Sequence, residues 1–204
     1  MRQIRGTIRN ERDVHSRLMS VYAEVPHYWY GLLFIISFVF GIIAIERWPT
    51  QLPFWAYLIA LLFSIIMIVP CGIILAITNQ HVPLGVISEL MIGYMLPGRP
   101  TAMMIFKTYG YIVTFQANGF AGDLKLGHYM KVPPRIMFIA QTLATTISCF
   151  VAVGVQSWMF SNIQDFCSPD QKDGFVCPAT GTFATASLVW GGIGPQRLFS
   201  KGAL

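Results

Sequence analysis

"FWAYLIALLFSIIMIVPCGIILAI", residues 54–77, is a run without a single Asp, Glu, Lys or Arg. A helix needs about 20 mostly apolar residues to cross the hydrocarbon of a bilayer, and this run has them. No water reaches the backbone there, so its N–H and C=O groups must bond within the segment, which makes helix the default. Working outward, the charge-free interval stretches from Trp48 to Ser88, and two more run from Val25 to Ile45 and from Ile136 to Gln164. Three spans are expected, at about 28–45, 54–77 and 136–160. Charged residues make up 11% of the chain against 54% hydrophobic. A soluble domain carries about 25% charged residues, and its core does not need uncharged runs this long. A cleaved leader is not expected, because the first apolar run starts late and no small-residue cleavage pattern follows it.

The remaining charges set an orientation. Arg2, Arg5, Arg9, Arg12 and Arg17 precede the first span, and Lys125, Lys131 and Arg135 precede the third long one. The other side holds Arg47 and Lys172 beside Glu46, Asp165, Asp170 and Asp173. This bias places the basic groups, and with them the N-terminus, in the cytosol. The net charge of +5 is then a topological signal, and no nucleic-acid partner is implied. The aromatics of "HYWYG" (27–31) suit the start of the first span at the interface.

Of the four cysteines, Cys71 and Cys149 lie in apolar runs and read as packing residues. Cys167 and Cys177 lie in the polar stretch "DFCSPDQKDGFVCPATG", assigned to the outside. Two readings stand for them. A disulfide would close a small ring worth about 2.5–3 kcal/mol on the chain-entropy model. A metal site would need two further ligands, which the neighbouring sequence lacks.

The region after the second span is of another kind. It is apolar, yet it carries Glu89, Arg99 and Lys107 and is broken by Pro83, Pro97, Pro100 and several glycines. Short apolar segments with such breaks are what transporters use for discontinuous helices. Residues 84–96 and 101–121 are expected to form a pair, as two short spans or a re-entrant hairpin. A charge deep in a membrane costs about 2.5–3.5 kcal/mol on insertion scales, so each needs a reason. Burial disfavours an ionised carboxylate, which makes Glu89 the candidate proton carrier. Arg99 and Lys107 are candidates for a substrate carboxylate, with Tyr94 beside them on the same pathway. A purely structural account competes: Lys107 reaches for the interface along its stem, Arg99 sits in a turn at the water, and Glu89 pairs with one of them. His81 and His128 fall at expected membrane edges.

Before the third long span, Lys131 and Arg135 bracket Pro133 and Pro134. Proline cannot continue a preceding helix but fits the first turn of the next. The step is either a plain stop and start or a gate on the cytosolic side.

The strings "ISELMIGYMLPGRPTAMMIFKTYGY" (87–111), "DLKLGHYMKVPPR" (123–135) and "ASLVWGGIGPQRLF" (186–199) resemble the oligopeptide transporter family, in its fungal and plant peptide-transporting branch. Its Lys-Ile-Pro-Pro-Arg signature stands here as Lys131, Val132, Pro133, Pro134 and Arg135, with valine for isoleucine. The resemblance runs from about Leu52 to Phe199, and the loop cysteines fit it. It implies proton-coupled uptake of short peptides, glutathione or conjugates, with metal-chelate transport as the alternative. It also implies a longer protein, of which this chain is an interior-to-late part that needs the remaining helices. The family's Asn-Pro-Gly string is absent here.

The expected fold is all-α and polytopic, with about 4–6 membrane helices. Residues 1–24 form a cytosolic segment and 25–204 a membrane domain, with 161–182 an outer loop. Peptide, protons and lipid are the expected partners, and the membrane is expected to be the plasma membrane. No cofactor is implied, and no HExxH or GxSxG pattern suggests an enzyme. A truncated product without transport is the remaining alternative.

Overall fold

The computed structural model describes residues 14–168, 171–172 and 174–199. Arg2, Arg5, Arg9, Arg12, Asp170 and Asp173 lie outside the described residues. Among those described, every regular element is a helix. In chain order these are α1 (Val14–Met19), α2 (His27–Arg47), α3 (Phe54–Thr78), α4 (Gly85–Met95) and α5 (Pro100–Lys107). A π-helical turn, π1 (Thr108–Ile112), leads into α6 (Val113–Tyr129), followed by α7 (Pro134–Asn162) and α8 (Pro178–Ala186). A second π-helical stretch, π2 (Ser187–Ile193), precedes α9 (Pro195–Phe199).

Helices α2, α3 and α7 are long and apolar enough to cross a membrane, with mean hydropathies of 2.2, 2.9 and 1.9. They coincide with the three expected spans, each extended by a residue or two. Helix α3 continues through Pro70 and ends at Asn79, whose φ of 55° is left-handed and whose N–H bonds Leu75 O at 2.9 Å. Asparagine tolerates that conformation well, which makes it a good helix stop.

The broken region is less even than expected. Helix α4 has 11 residues and rises about 16 Å, half a hydrocarbon layer. Beyond the corner at 96–99, α5, π1 and α6 follow without interruption to Tyr129. The helix therefore outruns the expected end at 121, passing Asp123 and Lys125. Backbone hydrogen bonding does not require apolar side chains, and Leu124, Lys125 and Leu126 are good helix formers. The connection between α7 and α8 runs from 163 to 177, within the expected 161–182, because α8 starts at Pro178 with proline in its first turn.

The chain divides into two compact units. The first comprises residues up to Leu33 together with Phe120–Met159. In it Phe138 of α7 packs against Tyr30 and Trp29, with ring centroids 4.8 and 5.5 Å apart. His15 of α1 meets the edge of Tyr129 at 5.0 Å. No residue of α7 is buried.

The second unit comprises Phe34–Gly119 and the chain from Phe160. Its core gathers Tyr57, Ala56 and Ala60 of α3 with Ile92, Ala102, Met103 and Phe106 of the α4–α5 hairpin. Small residues let the helices come close, as membrane packing demands. Gly93 of α4 lies against Pro195 and the Trp190 carbonyl, and Gly191 of π2 lies against Pro100 and Met103. Helix α8 and π2 run antiparallel to α5: Gly191 sits at its start, and the Phe183 ring lies over Lys107 at its end.

Candidate functional site

The site is built by the hairpin. Leu96–Arg99 reverses the chain, with Gly98 at φ 81° and its N–H donating to Gly191 O at 2.8 Å. Only glycine adopts that backbone without strain. Pro100 then starts α5 in the position where its missing N–H costs nothing. The reversal lays α5 back along α4 and brings together two side chains 18 residues apart. The Lys107 ammonium donates to Glu89 Oε1 at 2.5 Å. The Glu89 side chain is 5% exposed and that of Lys107 15%. The face of the ammonium environment is completed by the Phe183 ring, whose centroid is 4.6 Å away. A cation held over an aromatic face keeps favourable electrostatic contact when other partners change.

Each charge alone would be costly at such burial; together they cancel, and their contact offsets part of the lost hydration. Glu89 is paired with Lys107, which stays in the buried site and does not reach for the interface. Arg99 is not brought to them. It is exposed at the corner, and its guanidinium donates to Gln51 O at 3.2 Å. Tyr94 is 47% exposed.

Beneath the pair lies a seam of hydroxyls that the sequence reading missed. Ser64 of α3 is buried, and its Oγ lies 2.6 Å from both Tyr109 O and Gly110 O, sharing one proton between them. Thr114 Oγ1 donates toward Gly110 O at 2.8 Å and lies 3.2 Å from Ser64 Oγ. Ser88 Oγ donates to Gly85 O at 2.7 Å. The Tyr109 and Gly110 carbonyls belong to π1, where the widened turn disturbs the regular ladder and side-chain hydroxyls supply donors; the Gly85 carbonyl is in the first turn of α4. The one available signal was Ser64 itself, a small hydroxyl set inside a run of large aliphatic residues. Next to the seam is a cavity of ≈ 10 Å³, room for about one water, lined in part by His81, Tyr111, Thr114 and Asn118.

The proline step lies in the first unit. Lys131 has φ 62°; its N–H bonds His128 O at 3.2 Å, and that of Val132 bonds Gly127 O at 3.0 Å. This is a Schellman stop with lysine where glycine is usual. Pro133 and Pro134 are half-buried, Lys131 and Arg135 exposed. Arg135 Nε donates to Glu24 O at 3.1 Å, tying the step to the chain ahead of α2. In the second unit Cys167 and Cys177 are joined, with Cα atoms 4.7 Å apart. Among the described residues no group of three or more His, Cys, Asp or Glu is placed to hold a metal.

Lipid-length helices and a charged pair sealed inside a broken apolar hairpin define an integral membrane protein. A family model described as OPT oligopeptide transporter protein matches residues 1–203. The chain belongs to the oligopeptide transporter family. It is 49% identical over 188 residues to the sexual differentiation process protein isp4 of Schizosaccharomyces pombe, covering 92% of this chain and 24% of that protein. It is 46% identical over 189 residues to glutathione transporter 1 of the same yeast, covering 93% and 22%. With oligopeptide transporter 1 of Arabidopsis thaliana the identity is 45% over 195 residues, covering 93% and 26%. The chain thus spans about a quarter of the length of the curated relatives it matches. No solved structure matches it.

Proposed function

We propose that the chain takes part in proton-driven transport of small oligopeptides, of tetrapeptide or glutathione size, across the membrane. Family membership and relatives named as oligopeptide and glutathione transporters support this reading. The observation that carries it is the Glu89–Lys107 pair, an ionisable couple held in an apolar hairpin where each charge by itself is costly to insert. In this reading Glu89 carries the proton. Lys107 and the corner cation Arg99 receive the peptide carboxylate, and Tyr94 lines the route. The Lys131–Arg135 step gates the cytosolic side, the N-terminus is cytosolic, and the membrane is the plasma membrane.

The test is uptake of a labelled tetrapeptide by cells that lack their own peptide uptake and express the complete reading frame. Uptake should rise with an inward proton gradient, and excess unlabelled tetrapeptide should compete where an iron chelate does not. Glu89→Gln should flatten the pH dependence. Chelate-only competition, or a pH profile unchanged by Glu89→Gln, overturns the assignment.

A further inference from the structure

We propose that coupling works by exchange of carboxylates on Lys107: a proton arriving on Glu89 frees the ammonium, and the peptide's C-terminal carboxylate takes the vacated place. This rests on the transport reading above and adds to it how proton and substrate are bound to each other.

Four observations carry it. First, the only basic group at the buried site among the described residues already has an anionic partner in contact, with Lys107 Nζ 2.5 Å from Glu89 Oε1. A second carboxylate cannot be added without placing net negative charge in an apolar interior. Second, the two side chains are 5% and 15% exposed, so solvent cannot screen that surplus. Third, Lys107 has an uncharged second support, the Phe183 ring at 4.6 Å, which can hold the ammonium while its anion changes. Fourth, the elements packed around the hairpin bring few other ionisable groups. Helix α3 carries Tyr57 and Cys71, π1 carries Tyr109 and Tyr111, and α8 and π2 carry none. Arg197 of α9 is exposed, and Arg99 at the corner is exposed and bonded to Gln51 O.

The charge balance closes. In the resting state Lys107 (+1) and Glu89 (−1) sum to zero. When Glu89 takes a proton from the outer medium it becomes neutral, and its contact to the ammonium weakens to that of an uncharged acid. Lys107 keeps its own proton and its charge. The peptide carboxylate (−1) then restores neutrality. On the other side the peptide leaves, Glu89 releases its proton to the medium, and the original pair re-forms. Neither a proton alone nor a peptide alone gives a neutral buried site, so the two travel together. The ligand class is an anion-terminated peptide, recognised through one carboxylate.

The experiment compares tetra-alanine with its C-terminal amide at pH 5.5 and pH 7.5, in cells expressing the complete reading frame, with surface abundance measured in parallel. The unsubstituted protein should favour the free acid by about tenfold or more at pH 5.5, with the ratio falling toward one at pH 7.5. E89Q should hold the preference at both pH values and lose accumulation above the external concentration, while exchange of labelled for unlabelled peptide continues. K107Q should lose the preference at both, and K107R should restore it. If a single variant fails to reach the surface, the neutral double variant E89Q/K107Q is read instead and should take acid and amide equally at either pH. An acid-to-amide ratio in E89Q that still falls as in the unsubstituted protein, a preference kept in K107Q, or a preference kept in the double variant overturns the exchange. Equal uptake of acid and amide by the unsubstituted protein ends the exchange but leaves transport standing. No uptake of either peptide ends both.

Discussion

Replacing Gly93 by alanine tests the hairpin's packing directly. A methyl group at that position would lie 2.7 Å from Pro195 Cδ, 2.7 Å from the Trp190 carbonyl oxygen and 3.1 Å from Pro195 Cγ. Carbon atoms are comfortable at about 3.5–4.0 Å, so α4 must retreat by roughly 0.5–1 Å. Neither neighbour can swing aside, since one is backbone and the other a closed ring. Overpacking of this kind costs about 1–3 kcal/mol. Alanine also gains roughly 0.5–1 kcal/mol over glycine in a helix, which obscures a single measurement. Gly119→Ala removes that ambiguity, because a methyl there meets nothing within 4 Å and earns the same propensity. The difference between the two variants is then the steric term alone. At about 2–4 °C per kcal/mol for a domain of 150–250 residues, G93A should melt roughly 2–12 °C below G119A. The assay is the thermal midpoint of detergent-solubilised protein followed by fluorescence-detected size exclusion. Because Glu89 lies one helical turn before Gly93, peptide uptake should fall as well. Identical midpoints would show that α4 and the 190–195 segment are not in rigid contact, and the placement of Glu89 would lose its support.

Ser64→Ala removes the hydroxyl shared by the Tyr109 and Gly110 carbonyls, and only Gly110 O keeps a side-chain donor, Thr114 Oγ1; the expected loss is about 1–3 kcal/mol, read from the same melting assay. Cys167 and Cys177 should resist an impermeant maleimide until a reductant is added, and removing the pair should cost about 2.5–3 kcal/mol; labelling without reductant counts against the bond. Lys131→Gly relieves a left-handed backbone and should raise stability by about 1 kcal/mol. If the lysine side chain gates, uptake falls in that same variant, and unchanged uptake removes it from the gate.

The spans were legible because lipid imposes one strong rule, the absence of charge over a helix length, and α2, α3 and α7 obey it openly. Their ends moved by a residue or two, since helices continue into the headgroup region until a cap stops them. Where the rule is broken, legibility fell. Pro97, Gly98 and Pro100 marked the corner, but nothing in a 3.6-residue pattern announces π1 or π2, whose bonding is one residue wider. Asp123 and Lys125 suggested an end that the backbone does not make; the end lies at Lys131, and a lysine in left-handed conformation carries no sequence signal of the kind glycine gives. The Glu89–Lys107 contact was one option among several, because pairing across a hairpin depends on its register, and the register is fixed by Gly98 bonding to Gly191 far along the chain.

The three long helices are unequal. At 1.5 Å per residue, 21, 25 and 29 residues give about 32, 38 and 44 Å. A hydrocarbon layer is about 30 Å thick, and observed tilts reach roughly 40°. The shortest rod can stand almost upright and the middle one can lean enough to fit. The longest cannot be hidden by leaning, so about a turn of it must emerge among the lipid headgroups. A thicker bilayer would shelter more of that rod and a thinner one less, so the surrounding lipid has a direct mechanical grip on this part of the chain.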